Sequence, residues 1–145
     1  MAMPEDEPHW ISKLAARERA RRERIEVFQT SAPTFVKLLA NEIASDVGHF
    51  EMEFPGGKCH IEAIPEKGTI TVICSGYQRS TSATVQMHPH TQRISCSYEN
   101  CGSNREWEET LEISALGIHS KDVSPDYTAK RLSEKILKPV LFPAL

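Results

Sequence analysis

A helical repeat of apolar residues dominates the amino-terminal part of the chain. Apolar side chains recur every three or four residues at Ile25, Phe28, Ala32, Val36, Leu39, Ile43 and Val47. This spacing matches an α-helix with one buried stripe. It predicts a helical region from about Pro8 to Val47, which Gly48 should end. Pro33 interrupts the stripe without changing its phase, so we expect a helix kinked near Pro33 or two nearly collinear helices.

Alternation of apolar and polar residues predicts strands in the middle of the chain. In TITVICS, Ile70, Val72 and Cys74 share one face and two threonines share the other. One polar face indicates an antiparallel sheet that is covered on one side only. The connecting turns are short, which favours a meander of about six strands. The candidate strands are HFEMEF, CHIEAI, TITVICS, ATVQMH, RISCSYE and EWEETLEIS.

A second helix is predicted after Ser124. The sequence Ser124-Pro125-Asp126 supplies an N-cap, a proline in the first turn and an acid near the positive end of the helix. Its inner stripe should be Ala129, Leu132 and Ile136, and Pro139 should end or kink it.

Both predicted helices have an apolar stripe that must be buried, and the covered face of the sheet is the surface available for it. The expected fold is therefore α+β, a two-layer sandwich in which a long N-terminal helix, the antiparallel meander and a C-terminal helix follow in order. Both helices should pack on the same sheet face. Residues 1–24 are expected to form a polar helical extension with an apolar tip, and residues 25–145 a single α+β domain.

Composition narrows the classes of function. The chain has 145 residues, 26% of them charged, and a formal net charge of -3. This mildly acidic balance gives no long-range attraction to nucleic acid or an anionic membrane. No apolar run approaches the ~20 residues that span a bilayer, and the start MAMPEDEPHW lacks the pattern of a secretory signal. We therefore expect a cytoplasmic protein whose four cysteines, Cys59, Cys74, Cys96 and Cys101, are reduced thiols.

The stretch ARERARRERIE, from Ala16 to Glu26, has two possible interpretations, a solvated helix or a nucleic-acid interface. As a helix it places Glu18–Arg22, Arg19–Glu23 and Arg22–Glu26 four residues apart, and each such pair stabilises a helix by ~0.2–0.5 kcal/mol. This interleaving favours a solvated helix that neutralises its own arginines. The alternative is a nucleic-acid interface in which Arg17, Arg21 and Arg24 contact phosphates.

Apolar residues at both ends of the chain suggest a contact surface. Trp10, Ile11 and Leu14 precede the arginines, and the chain closes on the apolar tail VLFPAL. Trp10 either caps the core of its own chain or contacts a partner. We therefore predict a non-catalytic protein–protein interaction module that binds another protein or a second copy of itself. The predicted contact residues are Trp10, Ile11, Leu14, Arg17, Arg21, Arg24, Leu141 and Phe142.

No residue pattern predicts a catalytic, cofactor or metal site. The best metal candidates, His88, His90 and Cys101, would need two turns to meet. Cys59 and His60 are adjacent and should face opposite sides of a strand, which is unsuited to a nucleophile and its base.

The glutamates of EWEETLEIS are candidate catalytic carboxylates, but an exposed strand face provides neither the burial nor the close like charge that raises the pKa of a catalytic acid. Glu106, Glu108 and Glu112 should share an exposed strand face, whereas Trp107, Glu109, Leu111 and Ile113 should face the apolar side. A small-ligand or enzymatic site between the sheet and the helices remains an alternative. It would require a pocket that holds at least two polar groups with shifted pKa values.

Overall fold

A computed structural model describes residues 9–76 and 79–143 of the chain. Residues 1–8 of the predicted extension and the last two residues of the predicted apolar tail lie outside these ranges. The elements, in chain order, are α1 (Trp10–Glu53), β1 (Lys58–Ile64), β2 (Thr69–Gly76), β3 (Arg79–His88), β4 (Arg93–Glu99), β5 (Glu106–Thr110), β6 (Glu112–Ser114), β7 (Gly117–His119) and α2 (Pro125–Leu141). A 3-10 turn, Pro65–Lys67, joins β1 to β2.

The first five strands form one antiparallel sheet in the order β1-β2-β3-β4-β5. Each strand pairs with its neighbour in the chain, so the sheet is the predicted meander. The strands β6 and β7 pair with each other in a separate two-stranded sheet. The predicted α+β fold, with a long first helix, an antiparallel sheet and a final helix against the strands, is confirmed.

The core lies between one face of the sheet and the two helices. The alternation predicted for the strands holds, because alternate residues of β2, β3 and β4 are buried on one face, while Ile73 of β2 is exposed on the other. Fully buried side chains from both layers meet there: Phe28, Leu39, Ile43, Ile70, Val72, Val85, Ile94, Leu132 and Ile136. Each such side chain contributes about 1.5–3 kcal/mol through burial.

The first helix is longer than predicted. It runs without a break through Pro33, so the alternative of two separate helices is wrong. Gly48 does not end it either, and the helix continues to Glu53. A glycine costs only about 1 kcal/mol in a helix interior, which the burial of Val47 against the core easily offsets.

The segment HFEMEF was wrongly predicted to be a strand. Its residues form the last turn of α1 and the cap that follows, where the Phe54 N–H donates to the Phe50 carbonyl at 2.8 Å. Phe50, Met52 and Phe54 alternate with polar residues as in a strand, but Phe50 and Phe54 are also four residues apart, as on one face of a helix. The segment therefore fits both the strand period and the helical period. Contact between the two rings, with centroids 4.9 Å apart, stabilises the helical alternative.

The two helices run in the same direction across the sheet. The Ser133 hydroxyl donates to the Asp46 carboxylate at 2.7 Å, and farther along both helices the rings of Phe50 and Phe142 meet edge to face at 5.5 Å. Their carboxyl-terminal ends therefore lie together at one end of the molecule.

The segment EWEETLEIS does not form one strand. It divides at Leu111, which is buried, into β5 and β6. As a result Glu112 belongs to the small sheet and does not share a strand face with Glu106 and Glu108, contrary to our prediction. The partner strand β7 was not predicted, because its three residues are too few to show an alternating pattern.

Cys59 and Cys74 are disulfide-bonded across β1 and β2, whereas Cys96 and Cys101 are free and buried. The prediction of four thiols is therefore wrong for the first pair. These two cysteines face each other in the strand register, with Cα atoms 4.0 Å apart. A bond between residues separated by 15 positions restricts the unfolded chain, which is worth about 3 kcal/mol.

The second helix begins as predicted, with the Ser124 hydroxyl accepting from the Tyr127 N–H at 3.3 Å. Pro139 does not end the helix, which continues to Leu141. A proline has no N–H, so it leaves the carbonyl four residues earlier, that of Lys135, without its helical donor. The Tyr98 hydroxyl of β4 donates to this carbonyl at 3.1 Å, and the Trp107 indole N–H donates to the Tyr98 oxygen at 2.8 Å.

This relay predicts an energetic coupling between Tyr98 and Pro139. The substitution Tyr98→Phe should lower the free energy of unfolding by about 2 kcal/mol, because it leaves the Lys135 carbonyl and the Trp107 N–H without partners. Adding Pro139→Ala should restore at least about 0.5 kcal/mol more in the Tyr98→Phe background than in the wild type, since alanine supplies the missing donor. Chemical denaturation of the single and double variants measures this coupling.

Pro33→Ala serves as the control, since Pro33 lies in the other helix and has no part in the relay. Its effect should simply add to that of Tyr98→Phe. Equal effects of Pro139→Ala in both backgrounds would contradict the role assigned to the tyrosine hydroxyl.

Candidate functional site

The amino-terminal end of α1 projects beyond the core. No residue from Trp10 to Arg24 is buried, and the first buried side chain of the helix is Ile25. These helical residues extend about 22 Å from the domain at 1.5 Å per residue. The helix, rather than a loop, thus carries six of the eight predicted contact residues, those from Trp10 to Arg24, away from the core.

The apolar tip of this extension is exposed. Trp10, Ile11 and Leu14 keep 65%, 55% and 51% of their surfaces accessible. Leu14 precedes Ile25 by about three helical turns, so it lies on the side of α1 that faces the core farther along. The Trp10 ring lies tilted beside the neighbouring His9 ring, with centroids 5.8 Å apart. Among the described residues, Trp10 therefore does not cap the core.

The arginines of the extension are partly neutralised within the helix. Glu18 accepts hydrogen bonds from Arg21 at 3.2 Å and from Arg22 at 3.1 Å. The second of these is a predicted pair. The other two predicted pairs, Arg19–Glu23 and Arg22–Glu26, are not formed in the part of the chain that the structure describes. Arg17, Arg21 and Arg24 line neither of the two grooves described below.

The apolar tail packs at the opposite end of α1. Phe142 contacts the rings of Phe50 and Phe54 at 5.5 and 6.1 Å, and Leu141 is partly buried against the core. Trp10 and Phe50 are separated by about 60 Å of helix at 1.5 Å per residue. The eight predicted contact residues therefore form two separate groups on one molecule, with Leu141 and Phe142 far from the other six.

A polar cluster between β5 and α2 was not predicted as a site. At its centre is Glu109, whose two carboxylate oxygens both accept from Arg131, and one also accepts from Lys135 at 3.2 Å. Arg131 also donates to the Ser120 hydroxyl at 2.6 Å. The Lys135 ammonium lies over the Trp107 ring, 4.2 Å from its centroid. The sequence did contain a signal, since strand parity placed Glu109, a charged residue, on the apolar side.

Burial and pairing shift the pKa values of this cluster. Burial alone would raise the pKa of Glu109, but hydrogen bonds from Arg131 and Lys135, together with their positive charge, hold it below the ordinary value. Burial raises the pKa of Tyr98 well above its ordinary value. Burial also raises the pKa of the Cys96 thiol to about 11, so this cysteine is a neutral, unreactive group near pH 7.

An open groove of about 1500 Å³ runs along α2 beside this cluster. Its walls are the first half of β5 with the preceding loop, one side of α2, and Glu42 and Asp46 of α1. Trp107, Lys135 and Phe142 are among the side chains that line it. A second groove, of about 490 Å³, lies at the carboxyl-terminal ends of the helices and is lined by the disulfide, Lys58 and Arg79.

The residues weighed for metal binding and catalysis do not converge. His88 lies at the end of β3 where it pairs with Arg93, whereas Cys101 follows the opposite end of β4 and its thiol donates to the Ser82 carbonyl. Within residues 9–76 and 79–143, no group of three or more His, Cys, Asp or Glu side chains is arranged to hold a metal ion. The His88 ring instead hydrogen-bonds the Ser95 hydroxyl at 2.7 Å, on the outer face of the sheet.

Comparison with known proteins finds no matching family model, no matching curated protein and no matching solved structure. Over the described ranges, neither helix combines the length and apolar composition that crossing a membrane requires.

The Glu109 cluster predicts a pH-dependent contribution to stability. Glu109→Gln should lower the free energy of unfolding at pH 7 by about 2 kcal/mol, because Arg131 and Lys135 lose a half-buried carboxylate. A carboxyl group with a lowered folded pKa stabilises the fold above its unfolded pKa and loses that effect as pH falls through the folded pKa. The difference between the wild type and the variant should therefore shrink below about pH 4.

Chemical denaturation at several pH values measures this difference. Glu108→Gln is the matched control, because Glu108 pairs with Arg93 at an exposed position of the same strand. Its effect should stay within about 0.5 kcal/mol. A Glu109→Gln difference that does not change with pH would contradict the role assigned to the carboxylate.

Proposed function

We propose that the chain is a protein-interaction module whose contact surface is the exposed amino-terminal end of α1. The observation that carries the proposal is the exposure of Trp10, Ile11 and Leu14 at the tip of a helix that leaves the core. A single exposed apolar residue is ordinary, but three on one tip, one of them a tryptophan, resemble the anchor of an interface.

The chemistry of the extension favours a protein partner over nucleic acid. Glu18 holds two of the five arginines between Ala16 and Glu26, and the net charge of the chain is -3. Phosphate binding requires cations whose charge is not neutralised by neighbouring acids. A protein surface, by contrast, can bury the apolar tip and pair with the remaining arginines at the rim of the contact.

A second copy of the chain is the first partner to test. In an antiparallel pair of extensions centred between Arg17 and Glu18, Arg17 of each copy would lie opposite Glu18 of the other, whereas Lys13 would lie opposite Arg22. The charges would nearly cancel, so burial of the apolar tips would supply the affinity. The same arrangement would place Trp10 of each copy beside the stretch that contains Arg24 and Ile25 of the other. Trp and Arg are the residues most enriched at interface hot spots.

Removal of the tip side chains should weaken association without unfolding the domain. The double substitution Trp10→Ala and Leu14→Ala should reduce the association constant at least about 30-fold, since interface anchors contribute about 2 kcal/mol or more. Sedimentation equilibrium of the full chain over a range of concentrations measures self-association. Thermal unfolding should change little, because neither side chain is buried in the domain.

Arg19→Ala is the matched control, because Arg19 is exposed on a different side of the same extension. A full-length chain that stays monomeric at high concentration, and that recovers no protein dependent on Trp10 and Leu14 from a lysate, would contradict the proposal. A mobility shift with DNA or RNA at low salt, abolished at high salt, would instead favour the nucleic-acid alternative.

The cytoplasmic location expected from the sequence is part of this proposal and depends on the state of Cys59 and Cys74. A reducing cytosol keeps such pairs as thiols. If the chain is cytoplasmic, the disulfide that the structure contains between Cys59 and Cys74 should be reduced in the cell. Alkylation of cysteines in intact cells, followed by denaturation and mass spectrometry, should then find both residues modified. Recovery of the Cys59–Cys74 disulfide from cells that were alkylated before lysis would contradict a cytoplasmic location.

A further inference from the structure

The five-stranded sheet has two edges, β1 and β5. In an antiparallel ladder every second residue of an edge strand turns its N–H and C=O away from the sheet. Such groups can pair with a strand from another chain, and proteins usually block them.

The outward-facing groups of β5 follow from its hydrogen bonds to β4. The Tyr98 N–H donates to the Arg105 carbonyl at 2.7 Å, and the Leu111 N–H donates to the Gln92 carbonyl at 2.8 Å. The odd-numbered residues from 105 to 111 therefore pair with β4. Glu106, Glu108 and Thr110, all exposed, direct their backbone N–H and C=O groups away from the sheet.

The two edges differ in how they are covered. On β1, the outward N–H of Cys59 donates at 3.2 Å to the carboxylate of Glu51, which comes from the end of α1. On β5, no strand of the described chain pairs with the outer side. The open groove beside α2 begins at this strand, because Arg105, Glu106 and Trp107 form part of its wall. A peptide strand added to β5 would therefore place alternate side chains in the groove.

The charges beside β5 specify the composition of such a peptide. On the outer face it would meet Glu106 and Glu108, of which Glu108 already pairs with Arg93 and Glu106 has no ion pair among the described residues. These carboxylates favour lysine or arginine as cross-strand neighbours, most strongly opposite Glu106. On the groove side it would meet Trp107, Leu141 and Phe142, which favour apolar side chains. Pairing of β5 with β5 of a second copy would oppose glutamates directly, and like charges at such positions are destabilising.

We propose that β5 binds an extended peptide of another protein, in which basic and apolar residues alternate, as a sixth strand of the sheet. Main-chain hydrogen bonds to Glu106, Glu108 and Thr110 provide affinity, and the alternating side chains provide specificity. This surface lies on β5 and α2, apart from the extension of α1, so its test is independent of the proposed function above.

The test uses the full chain, labelled for NMR, and a short acetylated peptide in which lysine and valine alternate. Binding should shift the amide signals of Glu106, Glu108 and Thr110. A peptide in which glutamate replaces every lysine should bind at least about tenfold more weakly, because its charges oppose those of the outer face. Equal binding of the two peptides, or no binding of the basic peptide at millimolar concentration, would overturn the proposal.

Backbone methylation separates strand pairing from charge attraction alone. Methyl groups on one alternating set of peptide nitrogens should weaken binding at least about tenfold, because they block the hydrogen bonds to β5. The same number of methyl groups on the other set should leave binding nearly unchanged. Equal effects of the two sets would show that the peptide does not pair as a strand, and would refute the proposal.

Two substitutions at one position give a matched comparison on the protein side. Glu108→Pro removes an outward N–H that the sheet does not use, whereas Glu108→Ala removes the same charge and keeps the N–H. Binding of the basic peptide should be at least about tenfold weaker to the proline variant than to the alanine variant. Equal binding would contradict the proposal. The methylated peptides test the same hydrogen bonds on the wild-type chain if the proline variant does not fold.

Discussion

The position of α2 on the sheet depends on a hydrogen bond that its own sequence makes necessary. Pro139 deprives the Lys135 carbonyl of a donor, and the Tyr98 hydroxyl supplies one from β4. Trp107 of β5 then holds the tyrosine oxygen. A second contact fixes the end of the same helix, because the buried Thr81 hydroxyl of β3 donates to the Val140 carbonyl at 2.8 Å. Three neighbouring strands thus fix the same helical turns through polar contacts, in addition to the apolar core.

These polar contacts are concentrated on one side of the molecule, between α2 and the strands β3, β4 and β5. The ion pairs of Glu109 with Arg131 and Lys135 join β5 to α2 just beside the relay. Several side chains that line the open groove beside α2 therefore also make hydrogen bonds or ion pairs. Within the described residues, the part of α1 before Ile25 has no buried side chain that attaches it to the sheet or to α2. The chain therefore combines the open groove beside α2 with the projecting amino-terminal extension of α1.

Local pattern was enough to predict the layers but not the contacts between them. The stripe from Ile25 to Val47, the parity of β2 to β4 and the cap at Ser124 are properties of neighbouring residues, and all three appear in the structure. HFEMEF failed because Phe50 and Phe54 fit two periods, and Phe142, remote in sequence, forms part of their packing. The relay joins Tyr98 to a carbonyl freed by Pro139, and no local pattern links such distant positions. Glu109 was placed on the correct face, but its partners Arg131 and Lys135 were not foreseen.

The shared direction of α1 and α2 has an electrostatic consequence. A helix carries a partial negative charge of roughly half an electron at its carboxyl-terminal end. Because the ends of both helices lie together near Phe50 and Phe142, two such charges are brought side by side, which repel each other. Basic side chains are available close by, since Lys58 and Arg79 line the small groove there and Lys138 lies in the last turn of α2. Positive charge at this end of the molecule therefore stabilises the fold by offsetting the two helix ends, an effect that the net charge of the chain does not reveal.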